Sequence, residues 1–174
     1  IFRPQGIFGD RKEVELDAPI SDLMPTGVTV PTRDEVAISA KHLALHSSGL
    51  PRHPSSLTSR KPLPDPFAAY NDDALYQDLV TTTLDAAPGT TIQISDYGIG
   101  LLGFALGRKI GGGYGAALKT RILDPLGLSD TFLTLPTGAS ARKAIGTDDN
   151  LEPAPRWTWG ALAGAGGLVS SARD

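Results

Sequence analysis

The sequence predicts a mainly α-helical domain with long loops and little β structure. Apolar residues recur at helical spacing over 96–110, and weaker helical patterns lie at 38–50, 73–84 and 114–123. Prolines, glycines and serines separate these segments and disfavour long strands. The chain has 174 residues, 40% of them hydrophobic, so it can bury a core of ordinary size. This length corresponds to one domain over 1–174, or to one domain and part of another.

The first forty residues are predicted to be mostly loop. Four prolines there fix φ and remove backbone donors, which suits neither helix interiors nor central strands: Pro4, Pro19, Pro25 and Pro31. A short strand near Val28–Val30 is the exception that the pattern allows. Residues 51–66 are predicted to form a second, exposed loop, because proline, serine and arginine dominate that stretch.

Two modest helices are predicted on either side of that second loop. Over 38–50, Ser39 can cap the first turn, and Gly49 can end the helix in the left-handed conformation. The next helix can be capped by Asn71 or Asp72. Its apolar stripe is predicted to consist of Leu75, Leu79 and Val80.

The strongest helical pattern follows the PGT turn at 88–90. Ser95 or Asp96 can cap this helix. Its predicted apolar stripe consists of Ile99, Leu102, Leu106 and Ile110. Glycines are interleaved with this stripe at Gly98, Gly100, Gly103 and Gly107. Because a glycine costs a helix about 1 kcal/mol relative to alanine, four of them predict that another backbone or helix packs closely here.

The C-terminal part of the chain alternates glycine-rich breaks with weak patterns. The glycines at 111–113 are predicted to end the long helix, and a further helix over 114–123 is predicted to end before Pro125. The tail over 136–174 is rich in glycine, alanine and serine. It is predicted to hold loops with one or two short elements, anchored by Trp157 and Trp159.

Composition and charge exclude several classes of function. The 16 basic and 19 acidic residues are interspersed, so no basic patch for nucleic acid is expected. No apolar run approaches the roughly 20 residues of a membrane helix, and the N-terminal residues lack the pattern of a signal peptide. The absence of cysteine excludes disulfides and thiol nucleophiles and leaves the compartment unassigned. We expect a soluble protein without a cofactor.

Two short patterns could carry chemistry. Ser140 and Lys143 form a literal S-x-x-K, in which the lysine could act as the base for the serine. The flanking TGA and AIGTDD favour an exposed turn instead. His42 and His46 are four residues apart, the spacing at which two imidazoles on one helix share a metal ion. Leu43 replaces the glutamate of an H-E-x-x-H motif, so a structural role for both histidines is the preferred interpretation.

Five stretches carry a resemblance to one enzyme family, the class C β-lactamase-related serine hydrolases, which also include D-alanyl-D-alanine peptidases and one group of esterases. The clearest are HLALHSSGLPRHP (42–54), PGTTIQISDYGIGLLGFAL (88–106) and RILDPLGLSDTFLTL (121–135). EVELDAPISDLMP (13–25) and WTWGALAGAGGLVSSARD (157–174) extend the likeness. The resemblance implies the α+β fold of β-lactamases and transpeptidases, of which 38–135 is the helical region.

The same resemblance implies which catalytic groups to expect. The family uses a serine activated by the lysine of S-x-x-K, a tyrosine that opens a Y-x-N or Y-x-S motif, and a third K-T-G or H-x-G motif. Here Ile94 stands at the place of the tyrosine and Asp96 at the place of the asparagine, with Ser95 between them. Isoleucine can neither donate nor accept a proton. The resemblance further implies that the first and third motifs lie beyond the two ends of this chain.

Two classes of function therefore remain open. The first is a truncated, catalytically silent relative of the class C-like serine hydrolases. The second is a non-enzymatic binding module, and a variant of the first is one piece of an enzyme that another chain completes. Because the strands of the family's sheet would be missing, bare apolar helix faces are expected to be covered by a homodimer partner or a second polypeptide.

Overall fold

Helices dominate the computed structural model, which describes residues 15–58 and 65–174. In chain order the elements are β1 (Thr32–Arg33), β2 (Val36–Ala37), α1 (Ala40–Ala44), α2 (Ser55–Thr58), α3 (Asp72–Thr81), α4 (Asp96–Ile110), α5 (Gly113–Leu118) and α6 (Asp124–Leu126). A π-helical segment joins α5 to α6, and three further segments are 3₁₀ turns: Lys119–Leu123, then Ile20–Leu23, Thr137–Arg142 and Gly160–Ala165. The mainly α fold class is confirmed. Among the described helices, none combines the length and apolar character that crossing a bilayer requires.

A two-stranded antiparallel sheet lies just after the predicted strand. Residues 28–30 belong to no strand, so the strand expected there is wrong. Pairing instead joins Thr32 to Ala37 and Arg33 to Val36. The two residues between the strands have positive φ values of 52° and 61°, as a tight hairpin turn requires. They are Asp34 and Glu35, which lack the asparagine or glycine that signals such a turn in a sequence.

Helix α1 is shorter than predicted, although its cap is confirmed. The Ser39 hydroxyl accepts from the His42 backbone N–H, and His42 Nδ1 accepts from the Ser39 N–H in return. The helix ends at Ala44, and His46 takes the left-handed φ of 54° soon after it. Gly49 is also left-handed but lies beyond the helix, where a side chain would overlap the Ala86 carbonyl.

Helix α3 matches its prediction in its cap and in two of its three core residues. The Asn71 side chain accepts from the Ala74 N–H at 3.0 Å. Leu75 and Leu79 are fully buried, whereas Val80 is 58% exposed, so its assignment to the core is wrong. The helix ends at Thr81 rather than near 84. The loop predicted over 51–66 contains α2, and its residues 59–64 lie outside the described part.

The core is built around α4. Tyr97, Leu101 and Ala105 are completely buried, and residues from α1, α3 and the 160–165 turn pack around them. The stripe predicted from the sequence is only partly buried: Ile99, Leu102, Leu106 and Ile110. The prediction chose the most apolar side chains. The fold instead turns inward the face that carries the glycines, because other backbone segments approach there.

The close approach predicted from the α4 glycines is confirmed. A Cβ on Gly100 would lie 2.8 Å from the Cβ of Leu162, and one on Gly103 would lie 2.8 Å from the Cα of Gly164. A Cβ on Gly107 would meet the backbone at the start of α5, 2.6 Å from the carbonyl carbon of Gly113. Such separations are shorter than van der Waals contact, so only hydrogen fits at these positions.

The helical path after α4 passes through the proline that was expected to stop it. Gly111 ends α4 with a φ of 95°, as predicted, and α5 begins two residues later. Residues 119–123 then form a π-helical segment that leads directly into α6. Pro125 lies in the first turn of α6, where a helix needs no backbone donor. The predicted end before Pro125 is therefore wrong, and Gly127 ends the run instead with a φ of 68°.

The two tryptophans anchor the tail, as predicted. The Trp159 ring stacks on Phe67 with the centroids 4.3 Å apart, and the Trp157 ring lies 5.5 Å from Phe67. The Ala161 N–H donates to the Tyr70 carbonyl at 2.7 Å. These contacts hold the 160–165 turn between the 67–70 segment and the glycine face of α4.

A buried carboxylate joins α2 and α3. Asp78 is 4% exposed, and its two oxygens accept from the Ser55 hydroxyl, the Ser56 N–H, the Ser56 hydroxyl and the Tyr70 hydroxyl at 2.6–3.2 Å. A buried carboxylate is tolerated only when its lone pairs are satisfied in this way. Asp78, which the sequence analysis did not single out, thus links α3 to α2 through these hydrogen bonds.

We predict that Gly107→Ala destabilises the protein although alanine is the better helix former. The added methyl group meets backbone atoms of α5, which cannot move aside as a flexible side chain could. We expect the free energy of unfolding to fall by about 1–3 kcal/mol in urea denaturation. Gly115→Ala is the matched control, because its methyl group would touch only the end of the Leu133 side chain, at 3.3 Å. Equal stability of the two variants would contradict the prediction.

We predict that Asp78→Asn lowers the free energy of unfolding by about 2 kcal/mol, because hydrogen bonds to a charged acceptor are replaced by weaker neutral ones. Thermal and urea denaturation followed by circular dichroism measure the change. Asp73→Asn, an exposed substitution in the first turn of the same helix, is the control and should cost well under half as much. A loss at Asp78 no larger than at Asp73 would show that the Asp78 hydrogen bonds contribute little.

Candidate active site

The remnant of the second motif lies at the entry to α4. Ile94 is 62% exposed and presents an apolar surface where the resemblance places a tyrosine. Ser95 is buried, and its hydroxyl accepts from the Gly98 N–H at 2.9 Å while it donates to the Pro51 carbonyl at 2.7 Å. Both functions of this hydroxyl are structural, because it caps α4 and ties the helix to the loop before α2.

Asp96 is the first residue of α4, where a negative charge is favoured by the helix dipole. Its Oδ2 lies 3.6 Å from Arg52 Nε and 3.6 Å from His53 Nδ1. Both separations exceed a normal hydrogen bond, and the carboxylate remains 24% exposed. His53 Nδ1 is buried and has no hydrogen-bond partner in the described residues. The Asp96 carboxylate therefore lies between the Arg52 and His53 side chains and forms a normal hydrogen bond with neither.

Both candidate metal-binding histidines are bonded to the backbone through Nδ1. His42 Nδ1 takes part in the cap of α1, and His46 Nδ1 accepts from the Ser95 N–H at 3.2 Å. The His46 carbonyl also accepts from the Gln93 N–H at 2.8 Å, so His46 holds the second motif in place across 49 residues of sequence. Within 15–58 and 65–174, no group of three or more histidine, aspartate or glutamate residues is arranged to hold a metal ion.

The serine of the S-x-x-K pattern lies in an exposed 3₁₀ turn, Thr137–Arg142, and Lys143 follows that turn directly. The Ser140 hydroxyl points to the Pro136 carbonyl at 3.4 Å, and no hydrogen bond joins it to the Lys143 ammonium in the described residues. Arg142 forms two hydrogen bonds to Asp130 at 2.7 and 2.9 Å, and this pairing lowers the pKa of the Asp130 carboxyl. Ser140 and Lys143 are both exposed, as the flanking residues indicated, and a catalytic role for them stays the alternative that the pattern alone offers.

Two features next to the motif were not indicated by the sequence. Arg52 and His53 lie beside Asp96 because the Ser95 hydroxyl donates to the Pro51 carbonyl and the Tyr97 N–H donates to the Arg52 carbonyl, and no local pattern encodes these contacts. Tyr97 follows the motif directly, but its ring is completely buried, and burial raises the pKa of its hydroxyl. That hydroxyl lies near Thr82 without a hydrogen bond of normal geometry. It cannot replace an exposed tyrosine at position 94.

Comparison with known proteins agrees with this architecture. A family model described as Beta-lactamase matches residues 8–174. The chain belongs to the beta-lactamase family. The D-alanyl-D-alanine-carboxypeptidase/endopeptidase AmpH of Escherichia coli strain K12 is 30% identical to this family member over 165 residues, which are 95% of the chain and 41% of that relative.

Solved structures of the same family share its fold. A beta-lactamase/D-alanine carboxypeptidase from Yersinia pestis has a TM-score of 0.76 at 31% identity, over 91% of this chain and 44% of the other. A class C beta-lactamase from Rhodobacter sphaeroides has a TM-score of 0.70 at 31% identity, over 94% of this chain and 43% of the other. The resemblance read from the motifs is confirmed, and the beta-lactamase-family chain spans less than half the length of these relatives.

We predict that Ser95→Ala lowers the free energy of unfolding by about 1–2 kcal/mol, because α4 loses its cap and the Pro51 carbonyl loses its donor. Chemical denaturation measures the change. Ser140→Ala removes an exposed hydroxyl and is expected to leave stability unchanged within about 0.5 kcal/mol. A neutral Ser95→Ala would refute the structural role assigned to this hydroxyl.

Proposed function

We propose that these residues are the helical portion of a class C-like serine hydrolase and that by themselves they have no hydrolytic activity. The intact family, as the resemblance implies, hydrolyses β-lactams, peptides or esters through an acyl-serine. The observation that carries the proposal is Ile94, an exposed side chain without a transferable proton at the position of the motif's tyrosine. The chain's span of 41–44% of its relatives supports it.

Acyl transfer requires a serine whose proton is removed by a base within hydrogen-bond reach. The Ser95 hydroxyl is buried and already bonded to the Pro51 carbonyl and the Gly98 N–H. The Ser140 hydroxyl is exposed, and no base within the described residues activates it. Neither of these two hydroxyls meets the requirement, which supports the absence of hydrolysis.

A second candidate is that another polypeptide covers this chain and completes a site. It is favoured by three exposed apolar side chains on neighbouring segments, Leu45, Ile92 and Ile94. The segments are adjacent because the Gln93 N–H donates to the His46 carbonyl. A binding module without catalysis would use the same surface. Analytical ultracentrifugation and copurification test both possibilities, since a monomer without a bound chain would count against both.

The deciding experiment is the intact mass of the purified protein after incubation with a β-lactam and, separately, with a fluorophosphonate. We expect no added acyl or phosphonyl mass, and no nitrocefin hydrolysis above the buffer rate. A class C β-lactamase is the positive control. An adduct mapped to a serine would overturn the proposal, and loss of that adduct in Ser140→Ala would assign the nucleophile to Ser140.

We further predict that Ile94→Tyr does not create hydrolysis, because a tyrosine needs a serine and a lysine beside it to move a proton. Nitrocefin and p-nitrophenyl ester assays measure this outcome. The exposed position of residue 94 should make the substitution tolerable for folding, which circular dichroism checks. Turnover by the Ile94→Tyr variant would show that an unrecognised nucleophile already lies near residue 94.

A further inference from the structure

A cavity of about 350 Å³ opens beside the second motif, and it is separate from the Ile94 surface. Its lining includes Arg52, His53, Ser55 and the three threonines at 81–83. The lining is therefore basic and rich in hydroxyl groups. The volume lies at the lower end of the range of small-ligand sites.

The charged groups in and next to this cavity differ in how fully they are hydrogen-bonded. Arg52 is 65% exposed, and its guanidinium donates no hydrogen bond to any residue within 15–58 and 65–174. The nearest acceptor, Asp96 Oδ2, lies at equal distances of 3.6 Å from Arg52 and from the buried His53 Nδ1. At 3.6 Å from Asp96, Arg52 has a nearby opposite charge but no hydrogen bond of normal length, so its guanidinium donors are available to a ligand.

We propose that this cavity binds a small oxyanion, a carboxylate or a phosphate group, through Arg52. The planar guanidinium matches two oxygens of either group, and its charge strengthens both hydrogen bonds. The Thr83 hydroxyl lies in the same lining, is exposed, and has no hydrogen-bond partner among the described residues, so it can donate to a third oxygen. The Asp96 carboxylate, whose Oδ2 lies 3.6 Å from Arg52 Nε, opposes the ligand by its charge. The proposal does not depend on the hydrolase assignment.

The test is a titration of ¹⁵N-labelled protein with inorganic phosphate and, separately, with acetate, at ionic strength held constant with sodium chloride. We expect saturable shifts of the backbone amide signals of Arg52, His53 and 81–83 with at least one of the two anions. Which anion binds more tightly identifies the source of the oxyanion. The absence of saturable shifts with both anions at tens of millimolar would overturn the proposal.

Three variants make the test specific. Arg52→Gln is expected to weaken binding about tenfold, because the charged hydrogen bonds are lost. Asp96→Asn is expected to tighten it about threefold, because the competing charge is removed while a hydrogen-bond acceptor remains for His53. Lys109→Gln removes one exposed positive charge about 20 Å away along α4 and should leave binding unchanged.

The variants also distinguish specific binding at Arg52 from attraction of the anion by the net charge of the protein. Equal weakening by Arg52→Gln and Lys109→Gln would mean that net charge alone attracts the anion, and it would overturn the proposal. Weaker binding in Asp96→Asn would likewise contradict the assigned competition between Asp96 and the ligand. Because Arg52 is exposed, the fold of its variant should persist, and unchanged amide signals of the α4 core confirm that it does.

Discussion

The contact between α4 and the 160–165 turn is the constraint on which the rest of the structure depends. It places Gly100 against Leu162 and Gly103 against Gly164 at distances that leave no room for a methyl group. The 160–165 turn is itself held by the hydrogen bond from the Ala161 N–H to the Tyr70 carbonyl and by the stacking of Trp159 on Phe67. Packing at this density cannot shift gradually, so the direction of α4 is set by the backbone behind it. The position of every residue at its N-terminus follows from that direction.

The second motif has a structural role here, because Ser95 links the start of α4 to the segments that carry His46 and Pro51. Ser95 caps α4, ties it to the loop at Pro51, and donates its backbone N–H to His46 Nδ1. These contacts use the serine at position 95 and the histidine at position 46. Ile94 stands where the resemblance places the motif's tyrosine, and none of these contacts uses its side chain. The contacts therefore do not depend on which side chain occupies position 94.

Local signals in this chain were reliable where they concern one or two turns of backbone. The Ser39 and Asn71 caps, the end of α4 at Gly111 and the close approach at the α4 glycines all involve atoms near in sequence or the simple absence of a side chain. Signals failed where a distant segment decides which face is inside. Asp78 is acidic but buried, because α2 packs against it. Val80 is apolar but exposed, because none of the described residues covers it.

The sequence by itself determined the helix-rich class, the caps and the family, and the resemblance to that family places Ile94 where the motif's tyrosine is expected. Each of these depends on residue type and short-range geometry. Only the tertiary structure decided that the Ser95 hydroxyl is occupied by Pro51, 44 residues away, and that Asp96 stands between Arg52 and His53. It also decided which side of α4 is buried. These outcomes depend on which backbone segments meet, and side-chain periodicity in a single helix does not specify its partner.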